Sequence, residues 1–150
     1  MKIKEIMTKD VITVRTDTKV RQVAALLGEN NIGAVPVLDK SGALAGIITE
    51  SDLFIKEKGI PFSVVKIPHI FNQWVEPRKL TAIYADIDAN VASDVMSSPV
   101  ITISPEAEVG EAASLMFTHQ ISRLPVVDDN QLVGILSRSD IIRLMAKPQV

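Results

Sequence analysis

Apolar residues recur with helical spacing in two places along the chain. The second stripe lies 89 residues after the first, and the members are Val20, Val23, Ala24 and Leu27, then Val109, Ala112, Ala113 and Met116. Positions i, i+3, i+4 and i+7 fall on one face of an α-helix. The pattern therefore predicts two amphipathic helices that pack on sheets, with Asn30–Asn31 and His119–Gln120 as their ends.

Short runs predicted as strands flank both predicted helices. The β-branched runs Val11–Val14 and Val100–Ile103 precede the helices, and residues of this type favour strands. The runs Ala34–Leu38 and Arg123–Val127 follow the helices. The later runs contain Pro36 and Pro125, and proline has no N–H to donate. These two strands are therefore predicted at a sheet edge, or with one side facing something other than a strand.

A third predicted strand in each repeat runs straight into a helix. The stretches are Gly46-Ile47-Ile48-Thr49-Glu50-Ser51-Asp52 and Gly134-Ile135-Leu136-Ser137-Arg138-Ser139-Asp140. Thr or Ser followed three residues later by Asp is typical of a capping box at a helix start. Turn-forming residues at Asp39–Gly42 and Asp128–Asn130 predict hairpins into these strands. Each repeat is thus predicted as strand, helix, strand, strand, helix, which is an α/β fold.

The segment between the repeats has no counterpart after the second one. Pro77 precedes a helix-spaced stripe, so we predict a helix near 77–87 inside a linker at 57–93. The first unit is then 1–56 and the second 94–150. Four aromatic residues of the linker are predicted to pack on the repeats or on a second subunit: Phe62, Phe71, Trp74 and Tyr84.

Composition narrows the classes of function. The 150 residues are 47% hydrophobic, which suffices for one compact domain or for two half-size units sharing a core. A net charge of −2 provides no basic field for non-specific nucleic-acid binding. There is no cysteine, no secretion signal and no apolar run of the ~18 residues needed to span a bilayer. These features predict a cytoplasmic protein without a membrane partner.

The two capping boxes are also candidate binding sites. A helix N-terminus offers unpaired N–H groups and partial positive charge, which suit an anionic group. The hydroxyls of Thr49 and Ser137 add a donor, and the carboxylates of Asp52 and Asp140 add acceptors. Because the motif occurs twice, the sequence predicts two related polar sites.

Together these motifs resemble a tandem CBS domain pair over about residues 6–54 and 95–146. The resemblance rests on Val-Ile-Thr-Val, Val-Pro-Val-Leu-Asp and Gly-Ile-Ile-Thr-Glu-Ser-Asp, then on Val-Ile-Thr-Ile, Leu-Pro-Val-Val-Asp and Gly-Ile-Leu-Ser-Arg-Ser-Asp. It implies two pseudo-symmetric β-α-β-β-α units packed through their sheets, two symmetric clefts that commonly bind adenosine compounds, and association into homodimers.

By the same resemblance, the Asp of each motif holds ribose hydroxyls and the Thr or Ser faces phosphate. These residues are Thr49, Asp52, Ser137 and Asp140. The implied lining of the adenine pocket is Ile12, Thr13, Val35, Pro36, Ile101, Thr102, Leu124 and Pro125. The ligand stays open among AMP, ADP, ATP, S-adenosylmethionine, a nicotinamide dinucleotide and a cyclic dinucleotide.

The repeats differ in candidate phosphate partners. The second has Ser122, Arg123, Arg138 and Ser139 where the first has Gly33, Ala34, Glu50 and Ser51. Arginine forms charge-assisted bonds to phosphate, and Glu50 would repel it. The second repeat is therefore predicted to be the phosphate-accepting site.

An enzyme and an interaction module are the two alternatives to nucleotide sensing. An enzyme would need a nucleophile with a base, or a metal cluster, and His69 and His119 lie in unlike contexts without metal-ligand spacing. We therefore expect no catalytic activity and no resident cofactor or metal. The alternative is an interaction module with empty clefts that serves dimerisation. The effector protein that either module would regulate is not identified by the sequence.

Overall fold

The computed structural model describes residues 1–55 and 89–148. Each repeat carries a sheet flanked by helices. Within these residues, a 3-10 helix at Ile3–Glu5 is followed by β1 (Val14–Arg15), α1 (Val20–Glu29), β2 (Ala34–Leu38), β3 (Leu44–Thr49), α2 (Glu50–Ile55), α3 (Ala92–Val95), α4 (Val109–His119), β4 (Arg123–Asp128), β5 (Gln131–Ser137) and α5 (Arg138–Met145).

The first repeat has a three-stranded sheet in the order β1-β2-β3. The strand β1 runs parallel to β2, with Val14 opposite Val37 and Arg15 opposite Leu38. Pro36 therefore lies in the central strand, and the prediction of an edge strand is wrong. The parallel pairing begins one residue after Pro36, so the N–H that proline lacks is not needed there.

The second repeat contains the antiparallel hairpin β4-β5. Its register runs from Arg123 opposite Ser137 to Asp128 opposite Gln131, with an irregularity at Val126 and Val127. The two turn residues, Asp129 and Asn130, have φ values of 45° and 61°. Positive φ at both central residues is the requirement of a type I′ hairpin turn, and Asp and Asn tolerate it. The predicted hairpin is confirmed.

The predicted strand Val100–Ile103 is reduced to one bridge, between Ile103 and Val126. Ile103 N donates to Pro125 O at 3.0 Å, and Val127 N donates to Ile103 O at 3.0 Å. The next parallel bond would require an N–H on Pro125, so the ladder stops before Ile101. Pro125 therefore lies between Ile103 on one side of the strand and β5 on the other. The matching prediction for Val11–Val14 is also too long, because only Val14 enters β1.

Both predicted amphipathic helices form. Val20, Val23 and Leu27 are buried on α1, and Ala112 and Met116 are buried on α4. The helices end at C-caps Asn30 and Gln120, as the sequence predicts. Ala113 is exposed, so its place in the predicted buried stripe is wrong.

We call Met1–Thr8 and Asn90–Ser97 the first and second lead-in segments. The first docks on the second repeat, where Thr8 and Ile135 exchange backbone hydrogen bonds of 2.9 and 3.0 Å. Its Ile3 is fully buried in the core with Ile103, Met116 and Leu136. Each repeat is therefore completed by a segment from elsewhere in the chain.

The second lead-in segment docks on the first repeat in the same way. Ser97 and Ile47 exchange backbone hydrogen bonds of 2.9 and 3.1 Å. Ala92 N donates to Thr18 O at 2.7 Å, and the side chains of Ala92 and Val95 are buried. The docking holds the end of this segment beside β3.

A methionine from each lead-in segment covers a glycine of the strand before the motif. A Cβ on Gly46 would lie 2.5 Å from Met96 Sδ, and one on Gly134 would lie 2.5 Å from Met7 Sδ. Such distances are shorter than atoms tolerate. Glycine at both positions therefore favours the close approach of the lead-in segments, because any larger residue would force these atoms to shift.

The two compact units of the structure do not coincide with the two sequence repeats. One compact unit contains residues 13–40, 45–55 and 89–98, and the other contains 1–12, 41–44 and 99–148. The predicted boundaries 1–56, 57–93 and 94–150 follow the repeat and stay a prediction. The predicted helix near 77–87, the four aromatic residues of the linker and His69 lie outside the described residues.

Candidate functional site

The motif of the second repeat forms a complete capping box. Ser137 N donates to Asp140 Oδ2 at 2.7 Å, and Ser137 Oγ donates to the same oxygen at 2.8 Å. In return, Asp140 N donates to Ser137 Oγ at 3.3 Å. The box fixes the carboxylate at the N-terminus of α5, as the sequence predicts.

The first repeat forms the same box with longer bonds. Thr49 N and Thr49 Oγ1 donate to Asp52 Oδ2 at 3.0 and 3.3 Å, and Asp52 N donates to Thr49 Oγ1 at 3.4 Å. Ser97 of the second lead-in segment also donates to this carboxylate, at 3.2 Å from Oδ1 and 3.4 Å from Oδ2. The carboxylate of Asp52 is thus fixed from two directions.

Both motif carboxylates are buried. Asp52 is 8% exposed and Asp140 is 9% exposed. Burying a charged group is costly unless hydrogen bonds compensate, and the capping boxes supply that compensation. A carboxylate held this rigidly is suited to accept hydroxyl groups of a ligand without first being ordered.

Two candidate phosphate partners of the second repeat, Arg123 and Arg138, contact Ser122. Arg123 Nη1 donates to Ser122 Oγ at 3.0 Å, and Arg138 N donates to Ser122 O at 3.0 Å. Arg123 is half-buried and Arg138 is exposed. Arg123 and Arg138 are thus both linked to Ser122, Arg123 through its guanidinium group and Arg138 through its main chain at the start of α5.

The residues predicted to line an adenine pocket fall into two sets. Ile12, Thr13 and Ile101 are half-buried and Thr102 is exposed, so they present surface. Four others are fully buried in the cores of their repeats: Val35, Pro36, Leu124 and Pro125. Since these four present no accessible surface, they can support a ligand site but do not line an open pocket here. A ligand-binding role of either set stays a prediction.

A shallow groove on the first repeat involves only one predicted site residue. Thr13 lines it together with Arg15, Gln22, Leu26 and Glu29. The groove lacks both residues of the Thr49–Asp52 capping box, and its remaining lining comes from β1, α1 and Thr18 between them. We therefore assign the candidate site to the capping boxes and not to this groove.

Sequence reasoning missed two side chains that contact the motif carboxylates. Ser97 contacts Asp52 across 45 residues of sequence. Arg143 contacts Asp140 Oδ1 through Nη2 and lies one turn later on α5. A signal for Ser97 existed, because the equivalent residue of the first lead-in segment, Thr8, also carries a hydroxyl. Arg143 has no such signal, because the aligned residue is Ile55.

Among residues 1–55 and 89–148, no group of three or more potential metal-binding side chains occurs. In the same part of the chain, no helix combines the length and apolar character that crossing a bilayer requires. His119 is exposed in the last turn of α4, where its side chain is compatible with the predicted helix-end position.

Comparison with known families gives two matches, at residues 3–58 and 91–147, and both are to the CBS domain. A CBS domain-containing protein of Bacillus subtilis, YhcV, is 32% identical over 139 residues, which cover 93% of this chain and 81% of the relative. An uncharacterized protein of Methanopyrus kandleri is 35% identical over 141 residues. The match covers 93% of this chain but only 60% of that protein's length.

Solved structures show the same fold. The CBS domain of a CBS domain containing membrane protein from Sphaerobacter thermophilus has a TM-score of 0.75 at 38% identity, covering 96% of this chain and 87% of that one. The CBS domain pair of protein MJ0100, in complex with 5-methylthioadenosine and S-adenosyl-L-methionine, has a TM-score of 0.69 at 29% identity, with 97% and 95% covered. CBSX2 in complex with AMP has a TM-score of 0.72 at 25% identity, with 96% and 95% covered.

Proposed function

This chain belongs to the CBS domain family, and from that premise we propose that it is a regulatory module that senses adenosine-containing nucleotides. The observation that carries the proposal is the repeated capping box, with the buried carboxylate of Asp52 or Asp140 fixed at a helix start. Structures with the same fold support it, since one holds AMP and another holds 5-methylthioadenosine and S-adenosyl-L-methionine.

The chemistry of the box matches an adenosine ligand. A carboxylate only accepts hydrogen bonds, and the two vicinal hydroxyls of a ribose are both donors. Each such charge-assisted bond contributes on the order of 1.5–3 kcal/mol. The start of the helix, with its partial positive charge, then lies on the phosphate side of the ligand.

We further propose that the ligand acts as a regulator and that the chain itself performs no catalysis. The proposed partners are an adenosine nucleotide or S-adenosylmethionine, a second copy of the chain and an effector protein. A cytoplasmic location stays a prediction of the sequence.

An interaction module that binds no nucleotide is the second candidate function. The favouring observation is that apolar side chains of α4 and α5 are exposed: Phe117 at 85%, with Ile142 and Met145 also exposed. Exposed apolar side chains that are grouped on helices often mark protein interfaces. A dimeric mass by light scattering without nucleotide-induced stabilisation would favour this second candidate.

A thermal-shift panel tests the first proposal. AMP, ADP, ATP, S-adenosylmethionine, a nicotinamide dinucleotide and a cyclic dinucleotide are each added in excess. At ~100 times the dissociation constant, one site adds about 2.7 kcal/mol to the free energy of unfolding. An unchanged melting temperature across the panel would contradict nucleotide sensing.

Substitution of the motif carboxylate then tests the site. Asp140→Ala should weaken the panel's strongest ligand at the second repeat by about 1.5–3 kcal/mol, which is ten- to a hundred-fold, as measured by calorimetry. Asp140→Asn keeps an acceptor and should fall between this variant and the wild type.

Asp94→Ala is the matched control for Asp140→Ala. Asp94 Oδ2 accepts from Val91 N at 2.8 Å, a cap contact like that of Asp140 but outside both motifs. Asp94→Ala should lower stability while leaving affinity unchanged. Equal affinity losses in both variants would remove the ribose-binding role of Asp140.

A further inference from the structure

The carboxylate of Asp140 is approached by three donors before any ligand arrives. Its Oδ2 accepts from Ser137 N at 2.7 Å and from Ser137 Oγ at 2.8 Å. Its Oδ1 is contacted by Arg143 Nη2. A carboxylate offers about four acceptor positions. The remaining capacity is therefore about one bond, whereas a ribose presents two vicinal hydroxyl donors.

Of the three donors, only Arg143 can leave without dismantling the helix cap. The contacts of Ser137 fix the start of α5, so they are part of the fold. The side chain of Arg143 is 72% exposed, and its Nε also donates to Ser139 O at 3.3 Å. Water can solvate this guanidinium once it is released, and partly exposed ion pairs are weak.

We propose that Arg143 is a specificity-determining residue that competes with ribose hydroxyls for Asp140 Oδ1. This inference rests on the proposed function, because it concerns the carboxylate that would hold the ribose. Guanidinium cannot accept a hydrogen bond, so it cannot join a hydroxyl network as a second hydroxyl could. Arg143 therefore lowers the affinity of the second repeat for any ligand that needs both hydroxyl contacts. The aligned residue of the first repeat, Ile55, has no donor with which to compete.

The test is adenosine titration by calorimetry in an Asp52→Ala background, which restricts ribose binding to the second repeat. Arg143→Met keeps an unbranched side chain of about the length of the arginine stem and a good helix former, but it removes every donor. It should bind adenosine about two- to five-fold more tightly than the background, as expected from release of a weak ion pair. Arg21→Met, a helix arginine outside both motifs, should leave affinity unchanged.

Salt dependence gives an independent measurement. Because salt screens the ion pair, wild-type affinity for uncharged adenosine should rise between 50 mM and 500 mM NaCl, about two-fold or more. The affinity of Arg143→Met should not change with salt. In side-chain 15N spectra, the Nε–H resonance of Arg143 should move when adenosine is added, as it would not for a residue that only stabilises α5.

The outcomes separate this inference from the function on which it rests. If the background variant binds adenosine and Arg143→Met binds it equally or more weakly, competition by Arg143 is overturned and nucleotide sensing stands. If the wild-type chain binds no compound of the panel, both proposals fail. A lowered melting temperature of Arg143→Met with tighter adenosine binding would still support competition, since affinity is measured on the folded protein.

Discussion

The two helix starts that carry the capping boxes make the same backbone hydrogen bond, which we call the backbone frame, but they differ in charge. Arg138 N donates to Ser122 O at 3.0 Å, and Glu50 N donates to Gly33 O at 3.1 Å at the aligned position. The frame is therefore the same in both repeats. The side chains of Arg138 and Glu50 are exposed and have opposite charges.

This difference separates the groups that stabilise the helix start from the side chains that can vary between the repeats. Main-chain groups and the two capping side chains fix each helix start, so the exposed side chain of the first helical residue is not needed for folding. Substitutions at such surface positions usually change stability by about 0.5 kcal/mol or less. Charge can thus diverge between the repeats while the frame stays constant, and ligand preference can diverge with it.

The largest expected effect concerns the arginines of the second repeat. In an Asp52→Ala background, Arg123→Ala or Arg138→Ala should weaken AMP by about 1.5–3 kcal/mol, because a charge-assisted bond to phosphate is lost. Adenosine, which lacks the phosphate, should bind nearly as before. Calorimetry with both ligands measures the difference.

Glu50→Ala is the matched variant in the first repeat, studied in an Asp140→Ala background. It removes a negative charge beside Thr49, so AMP should bind as well or better. Equal losses of AMP and adenosine in the arginine variants would show that those side chains act on the protein and not on phosphate.

A second comparison concerns the two covered glycines, whose substitution should lower stability by about 1–3 kcal/mol through overpacking. Gly134→Ala should cost more than Gly46→Ala. A Cβ at Gly134 meets the backbone oxygen of Thr8 at 3.0 Å as well as Met7, whereas at Gly46 its nearest neighbours are all side-chain atoms of Met96. Urea unfolding measures both.

Truncation of the covering methionines sharpens this comparison. Gly46→Ala should lower stability less in a Met96→Ala background than in the wild type, because most of the clashing side chain is then absent. The cost of Gly134→Ala should fall less in a Met7→Ala background, because the backbone oxygen of Thr8 remains. Equal recovery in the two repeats would contradict the role assigned to Thr8.

The smallest expected effect distinguishes the docking of the two lead-in segments. Lys2 Nζ lies 2.9 Å from Glu108 Oε1. The hydrogen bond from Lys2, together with one from the terminal amino group, lowers the pKa of Glu108 from 4.5 to about 2. The aligned pair in the other repeat, Lys19 and Val91, cannot form this ion pair.

Acid should therefore loosen the first lead-in segment selectively. A carboxyl whose pKa is lowered by folding stabilises the protein fully above pH 4.5, and the contribution is lost as pH falls towards 2. The protection factor of the Ile3 amide, which corrects for the intrinsic pH dependence of exchange, should fall relative to that of Ala92 between pH 5 and about 3. In Glu108→Gln this pH dependence should disappear, and its persistence would assign the effect to another group.

Local patterns predicted the helices and both capping boxes because the interacting residues are close in sequence. Ser137 and Asp140 are three residues apart, so the spacing alone specifies their contact. The stripes of α1 and α4 likewise predicted most of the buried positions. The resemblance to CBS domains was confirmed, as was the α/β fold class.

The remaining features depend on contacts between distant residues. The bond from Ser97 to Asp52 and the docking of Met1–Thr8 on the second repeat have no local signature. The shortening of the strand before α4 depends on where Pro125 lies in the folded sheet. The central position of Pro36 was mispredicted because the sequence shows only that proline lacks an N–H. It does not show which neighbouring strand that N–H would have bonded, or whether a bond is needed there.

Each lead-in segment packs on the other repeat and not on the repeat that it precedes. This exchange of lead-in segments bears on how such a chain could have arisen by gene duplication. A polypeptide with a single repeat would carry a leading segment that packs on a repeat other than its own. Two identical copies would satisfy both surfaces by swapping these segments, as domain-swapped dimers do. Fusing the two copies would make that exchange intramolecular. By the same reasoning, separately expressed halves of this chain should complement one another in trans, each supplying the segment that the other lacks.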